Sequence, residues 1–254
     1  MLWLGEETLI VEVRQGRRVL VTGASDGIGA AVAGHLARDG ARVALLARDT
    51  ARLEDVARRS GGLAITADLT DPPSATRAVE DAAREMGGLD VLVNNAGVFR
   101  LGRVADGEIA DWRDMLEVNV LGLLAVTQAA IPFLRLGRHP QIVNISSMSG
   151  RRVAGAVHGV YSGTKHAVHA LGDALRQELH ADGIRVTTVS PGIVRTNLGA
   201  TVRDGELRSD VGRSQVEQGL SPEDVAAQVS YILSVPPDVH LVELAVISSR
   251  QQPG

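Results

Sequence analysis

The 254-residue chain contains no cysteine, which excludes disulfides, thiolate catalysis and cysteine-bound metal. Aromatic residues are scarce, two each of tryptophan, tyrosine and phenylalanine, which argues against a large stacking pocket for a flat substrate. Excess positive charge is missing as well. With 26 lysine and arginine residues against 30 aspartate and glutamate, the net charge is -4, and nothing pulls the chain toward nucleic acid or an anionic membrane. Apolar runs such as VALLA and VLV are strand-length, far short of the roughly 20 residues that span a bilayer. The opening MLWLGEETLIVEV has neither a basic start nor an apolar block ending in a small-residue cleavage site, so no secretory signal is expected. Together these absences lead to the expectation of a soluble, cytoplasmic protein with no nucleic-acid or membrane partner.

What is present is an alternation of short β-branched runs with Ala/Leu/Arg-rich stretches. Strands are predicted at 17–22, 41–47, 63–66, 89–94, 141–146, 184–190 and 242–247, with helices near 28–39, 50–59, 73–86, 108–135, 159–182 and 222–234. The strands are nearly continuous apolar runs, as expected when helices cover both faces of a parallel sheet. The predicted fold is therefore α/β: a doubly wound, mainly seven-stranded parallel sheet in a single domain, 17–254. Two segments fall outside the rhythm. Residues 1–16 read as an N-terminal extension. Residues 196–221 are polar, punctuated by glycine and weakly periodic; such an insert is either disordered or a functional lid, and a substrate lid is the expectation.

VLVTGASDGIGAAVAGHLA joins the first strand to the first helix, with Gly23, Gly27 and Gly29 at the bend. Glycines there allow a tight turn and close backbone approach to a pyrophosphate, and the helix N-terminus offers free N–H groups. Further on, VYSGTKHAV puts Tyr161 and Lys165 four residues apart, on one helix face. A phenol titrates near pH ~10, and an adjacent ammonium favours its ionised form. Taken alone, Tyr-x-x-x-Lys reads as an ordinary helix face, so its company has to decide.

TGASDGIG, NNAG at 94–97 and YSGTK at 161–165, in that order and spacing, resemble the short-chain dehydrogenase/reductase family in its single-domain branch of about 250 residues, from about residue 16 onward. The resemblance implies a Rossmann fold and a nicotinamide cofactor. In VALLARD, Ala47 stands where NAD-preferring members carry Asp, and Arg48 follows; an arginine fork suits a 2′-phosphate. Asp49 could compromise that reading, and Asp26 stands where many NADP-preferring relatives have a basic residue or serine. NADP(H) is expected, with NAD(H) as the alternative. By the same resemblance the cofactor contacts are Gly23, Ser25, Asp26, Gly27, Ile28, Gly29 and Arg48; Asp68 and Leu69 at the adenine; Asn94, Asn95, Ala96 and Gly97 along its length; and Pro191, Gly192, Val194 and Thr196 at the nicotinamide.

The resemblance also implies a tetrad. Tyr161 would be general acid in reduction and general base in oxidation. Lys165 would lower the phenol pKa together with the oxidised nicotinamide, and would bind the ribose hydroxyls. Ser147, rather than Ser146, would hold the substrate oxygen, and Asn119 would support a water relay from Lys165. The spacing from Ser147 to Tyr161 is one residue longer than is commonest in the family, so loop 148–160 is expected to bulge. Arg151, Arg152 and His158 lie in that loop, where a wall of the substrate site would form; they would either favour an anionic or polar substrate or belong to the solvated surface. His166 and His169 lack acidic partners at metal-ligand spacing and are expected on an outer or subunit-facing side of their helix; Tyr231 is expected to pack a late helix.

These residues and the resemblance predict an NADP(H)-dependent oxidoreductase acting on a small carbonyl/alcohol substrate, a ketone, aldehyde or hydroxy acid; the resemblance further implies a homo-oligomer, tetramer or dimer, associating through the helices at 108–135 and 159–182. A silent NADP(H)-binding regulatory protein would show a broken tetrad. An epimerase or dehydratase of the larger relatives would carry a longer C-terminal substrate domain.

Overall fold

The computed structural model describes residues 15–251. The N-terminal extension, apart from its last two residues, and the final three residues of the chain lie outside that range. Seven parallel strands form one sheet: β1 (Arg18–Thr22), β2 (Arg42–Ala47), β3 (Leu63–Thr66), β4 (Val91–Asn94), β5 (Gln141–Ile145), β6 (Arg185–Pro191) and β7 (Glu243–Val246). Their order is β3-β2-β1-β4-β5-β6-β7. All seven predicted strands are present, each end within two residues of its predicted position. The chain runs outward from β1 to β3, then returns beside β1 as β4, and a crevice opens at that reversal beyond the carboxyl ends of the strands.

Seven helices connect the strands among the described residues: α1 (Gly27–Arg38), α2 (Thr50–Ser60), α3 (Pro72–Met86), α4 (Ile109–Leu134), α5 (Gly159–Glu178), α6 (Gly205–Gln218) and α7 (Pro222–Ser234). Alternation along the strands divides the core in two. Val19, Val21, Val91 and Val93 pack with α1, α2 and α7, while Leu20 and Leu92 face α3, α4 and α5. Both faces of the sheet are buried, which is why its strands carry no polar alternation.

Local signals set the helix ends. Asp26 and Asp49 cap α1 and α2 with their side chains, and α2 and α3 stop at Gly61 and Gly87, whose φ values of 68° and 73° favour glycine. Ser221 and Asp224 form a capping box on α7. Among the described residues only α4 is long and apolar enough to cross a membrane; here Val126, Ala130 and Leu134 pack it into the core. Between Glu117 and Gly122 it winds as a π turn. The segment 196–221 contains a 3-10 turn, Asn197–Thr201, followed by α6, which the weak periodicity did not predict. Tyr231 lies on α7 but is 53% exposed, so it does not pack that helix as expected.

Candidate active site

The β1–α1 turn, the ends of β2, β4 and β5, the start of α5 and the segment after β6 enclose one cleft of about 860 Å³. Every cofactor contact expected from the sequence lines it except Asn94 and Gly29. Asn94 turns into the sheet, where its amide donates to Thr127 Oγ1 at 2.9 Å and Asn144 Oδ1 at 3.0 Å. Gly29 sits behind the turn, where a Cβ would overlap the Gly23 carbonyl oxygen.

The glycine turn is built to be thin. Gly23 has a φ of 63°, and a Cβ on it would come within 2.8 Å of Ala96 Cα. The Asn95 amide donates to the carbonyls of Thr22 and Gly23 at 2.9 and 3.1 Å, stitching the end of β4 to the turn. Bare backbone and a helix N-terminus face the cleft as a result, and this suits a pyrophosphate. Asp26 uses one carboxylate oxygen on Gly27 N at 2.6 Å and the other on Asn197 Nδ2 at 2.5 Å, so it joins α1 to the segment after β6.

At the β2 end, Ala47 leaves room where an acid would stand. The Arg48 side chain is 61% exposed, and its nearest carboxylate, Asp68, is 4.0 Å away. Asp49 accepts from Arg52 N at 3.1 Å and pairs with the Arg52 guanidinium at 3.3 Å. Its carboxylate is thereby engaged on α2.

Across the cleft, α5 brings Tyr161 and Lys165 to one face, and both are buried. Lys165 Nζ donates to the Ile145 carbonyl at 3.0 Å and lies 5.9 Å from the Tyr161 ring centroid. Phe99 meets the Tyr161 ring edge-on, 4.6 Å between centroids. Burial pushes the phenol up to about 12, and the opposing pull comes from the Ser147 side chain. Burial also draws the Lys165 ammonium down to about 8. Lys165 alone therefore does not bring the phenol toward neutrality. The two serines diverge: Ser146 Oγ donates to the Lys165 carbonyl at 3.1 Å, whereas Ser147 Oγ accepts from Ser149 N at 3.0 Å and interacts with Tyr161.

Asn119 lies in the π turn of α4 and does not line the cleft. Its Oδ1 accepts from Val98 N at 2.8 Å, and its Nδ2 donates to the Val98 carbonyl at 3.0 Å and Thr164 Oγ1 at 3.1 Å. The expected bulge in loop 148–160 is folded into two 3-10 turns, Met148–Gly150 and Ala156–His158. His169 turns inward rather than outward: its Nε2 meets Ser190 Oγ at 3.1 Å and its Nδ1 lies 3.4 Å from Glu243.

Several lining residues carried no sequence signal. Gln251 reaches back to accept from Ile193 N at 2.9 Å beside Gly192. Leu207, Val211 and Gln215 present one face of α6 to the cleft. The segment holding α6 is fastened at its other end. Thr201 bonds both the N–H and the carbonyl of Phe99 at 3.1 and 2.6 Å, and Arg100 reaches the Thr201 carbonyl. Arg203 meets Asp111 at 2.9 Å and Asp114 at 3.6 Å, and Arg100 pairs with the same two carboxylates at 3.6 and 3.3 Å.

Residues 17–207 match the family model described as short chain dehydrogenase. An uncharacterised oxidoreductase of Staphylococcus saprophyticus is 34% identical over 238 residues, 91% of this chain and 97% of that protein. A short-chain dehydrogenase from Burkholderia cenocepacia in complex with NADP is 35% identical, with a TM-score of 0.80 over 92% of this chain and 97% of that one. An alcohol dehydrogenase from the archaeon Thermococcus sibiricus, complexed with 5-hydroxy-NADP, is 28% identical, with a TM-score of 0.83 over 94% of this chain and all of that one.

Proposed function

The chain belongs to the short-chain dehydrogenase family of oxidoreductases, and from that premise we propose that it is an NADP(H)-dependent enzyme of the cytoplasm that interconverts a ketone or aldehyde and its alcohol. The observation carrying this reading is that Ser147, Tyr161 and Lys165 share one cleft with the glycine turn and Arg48. NADP(H) is favoured over NAD(H) because Ala47 replaces an acid, Asp49 is engaged on α2, and the Arg48 guanidinium is exposed for a 2′-phosphate. Thr196 and the Pro191–Gly192 turn would hold the carboxamide edge. When bound, the nicotinamide supplies or accepts the hydride and, oxidised, adds a positive charge beside the phenol.

The chain's own residues handle the proton. In reduction, the Tyr161 hydroxyl gives its proton to the carbonyl oxygen as negative charge develops there; in oxidation, the phenolate takes the proton back. Ser147 donates to the same oxygen and fixes its direction. Lys165, held on the Ile145 carbonyl, keeps a positive charge near the phenol and reaches the ribose hydroxyls. Asn119 is a positioning residue, because its amide is occupied by Val98 and Thr164. The segment 196–221 acts as the lid, and Leu116 and Leu121, about half exposed on α4, supply part of a homo-oligomer contact.

Absorbance of NADPH, followed over a panel of aldehydes and ketones, tests the reading. Tyr161→Phe is expected to keep NADPH affinity and lose turnover by about 10²–10⁴-fold. Near-normal turnover in that variant would overturn the assignment.

A further inference from the structure

The charged side chains lining the cleft are almost all paired. At the β2 end, Asp26 is bonded to Gly27 and Asn197, Arg48 faces Asp68, and Asp49 holds Arg52. Lys165 is held by Ile145, and Asp210 on α6 pairs with Arg213. Arg152 is different. It is half-buried and lines the cleft, yet no carboxylate among the described residues lies within 4.0 Å of it and its guanidinium makes no hydrogen bond to them. Arg151, immediately before it, shows the alternative: that side chain turns outward and binds Glu243 at 2.7 Å.

The backbone keeps Arg152 close in sequence and space to Ser147. Gly150 N donates to the Ser147 carbonyl at 2.8 Å and Arg152 N to the Met148 carbonyl at 3.2 Å, so one tight turn carries both Ser147 and Arg152. Further along the loop, the His158 ring lies 6.0 Å from Phe99, tilted 41° to it. Arg152 thus lines the same cleft as Ser147 and Tyr161 and lacks a counter-ion there. Phe99, Leu101, Val157 and Leu198 supply the surrounding apolar surface. A guanidinium without a counter-ion is met by a carboxylate through two parallel charge-assisted hydrogen bonds.

We propose that the substrate of this site is a short-chain oxo acid or hydroxy acid whose carboxylate binds Arg152. The inference rests on the oxidoreductase reading and narrows it to anionic substrates. Arg152 thereby sets specificity and takes no part in proton or hydride transfer.

The test uses matched pairs, 2-oxobutanoate and 3-oxobutanoate against their ethyl esters, with NADPH. The wild type is expected to show a kcat/KM for at least one acid about tenfold or more above its ester, a ratio that shrinks as sodium chloride is raised. Arg152→Gln is expected to collapse that ratio toward one, Arg152→Lys to give an intermediate value, and Arg151→Gln to leave it as in wild type. Wild-type preference for both esters, or an unchanged ratio in Arg152→Gln, overturns the inference. The two levels of the reading fail differently. Turnover of esters and neutral ketones without acid preference removes only the carboxylate, whereas NADPH left unconsumed with every acid, ester and neutral carbonyl removes the oxidoreductase reading and this inference with it.

Discussion

Replacing Lys165 with methionine is expected to make the protein more stable while abolishing its turnover. The ammonium is buried, and its pKa falls from an ordinary 10.5 to about 8 on folding. At neutral pH the group is protonated in both states, so forcing the charge into the interior costs the native state about 3 kcal/mol. Methionine is of similar length and carries no charge. It forfeits the hydrogen bond to the Ile145 carbonyl, worth about 1 kcal/mol. The net gain at pH 7 is about 2 kcal/mol, or about 4–8 °C in Tm for a domain of this size. Between pH 8 and 10.5 the unfolded chain binds more protons at this residue than the native one, so wild-type stability rises through that window. At pH 9.5 the penalty has fallen to about 1.5 kcal/mol, and the two proteins should be nearly equal. Urea denaturation without cofactor at pH 7 and pH 9.5 measures both differences. A methionine variant less stable than wild type at pH 7, or a gap that does not narrow at pH 9.5, would refute the reasoning.

Two further perturbations address the ends of the cleft. Arg48→Ala is expected to raise the KM for NADPH by about 10–100-fold and that for NADH by much less, if its exposed guanidinium is the proposed 2′-phosphate contact; steady-state kinetics with an unchanged NADPH value would contradict it. Arg203→Ala removes half of the double pairing with Asp111 and Asp114 and should loosen the segment carrying α6. A several-fold higher carbonyl KM and faster tryptic cleavage within 197–218 are expected, and unchanged values for both would show that the pairing does not hold the segment.

The fold was legible because its strands are short apolar runs and its turns carry glycine or capping aspartate. Those are local properties, and they survive a reading of one sequence. Helix α6 was not legible, because GELRSDVGRSQVEQ buries no residue fully and faces the cleft rather than the core. Its start did carry a signal: Asp204 accepts from Glu206 N and Leu207 N, both at 2.9 Å. Adjacent Arg151 and Arg152 could not have been told apart, since their difference is set by Glu243, 92 residues away, and by the turn after Ser147. The same holds for Gln251, which meets Ile193 across 58 residues. The motif residues were readable in type. Their tuning was not, because the rise of the Tyr161 phenol comes from burial that no spacing reveals.

The π turn at Glu117–Gly122 has a consequence for anyone drawing α4 as a helical wheel. A π turn accommodates roughly one residue more than regular α-helix, and each α-helical residue advances the wheel by about 100°. The faces before and after the turn are therefore out of phase on a single wheel: Met115 marks the inward side of the first half, and Leu123, Val126, Ala130 and Leu134 mark that of the second. Asn119 and Gly122 sit at the phase change itself, and both are buried. A one-residue deletion there would give a more regular helix, but one whose two halves could not both face inward. The irregularity thus acts as a phase correction, letting one helix serve the site with its first half and the core with its second.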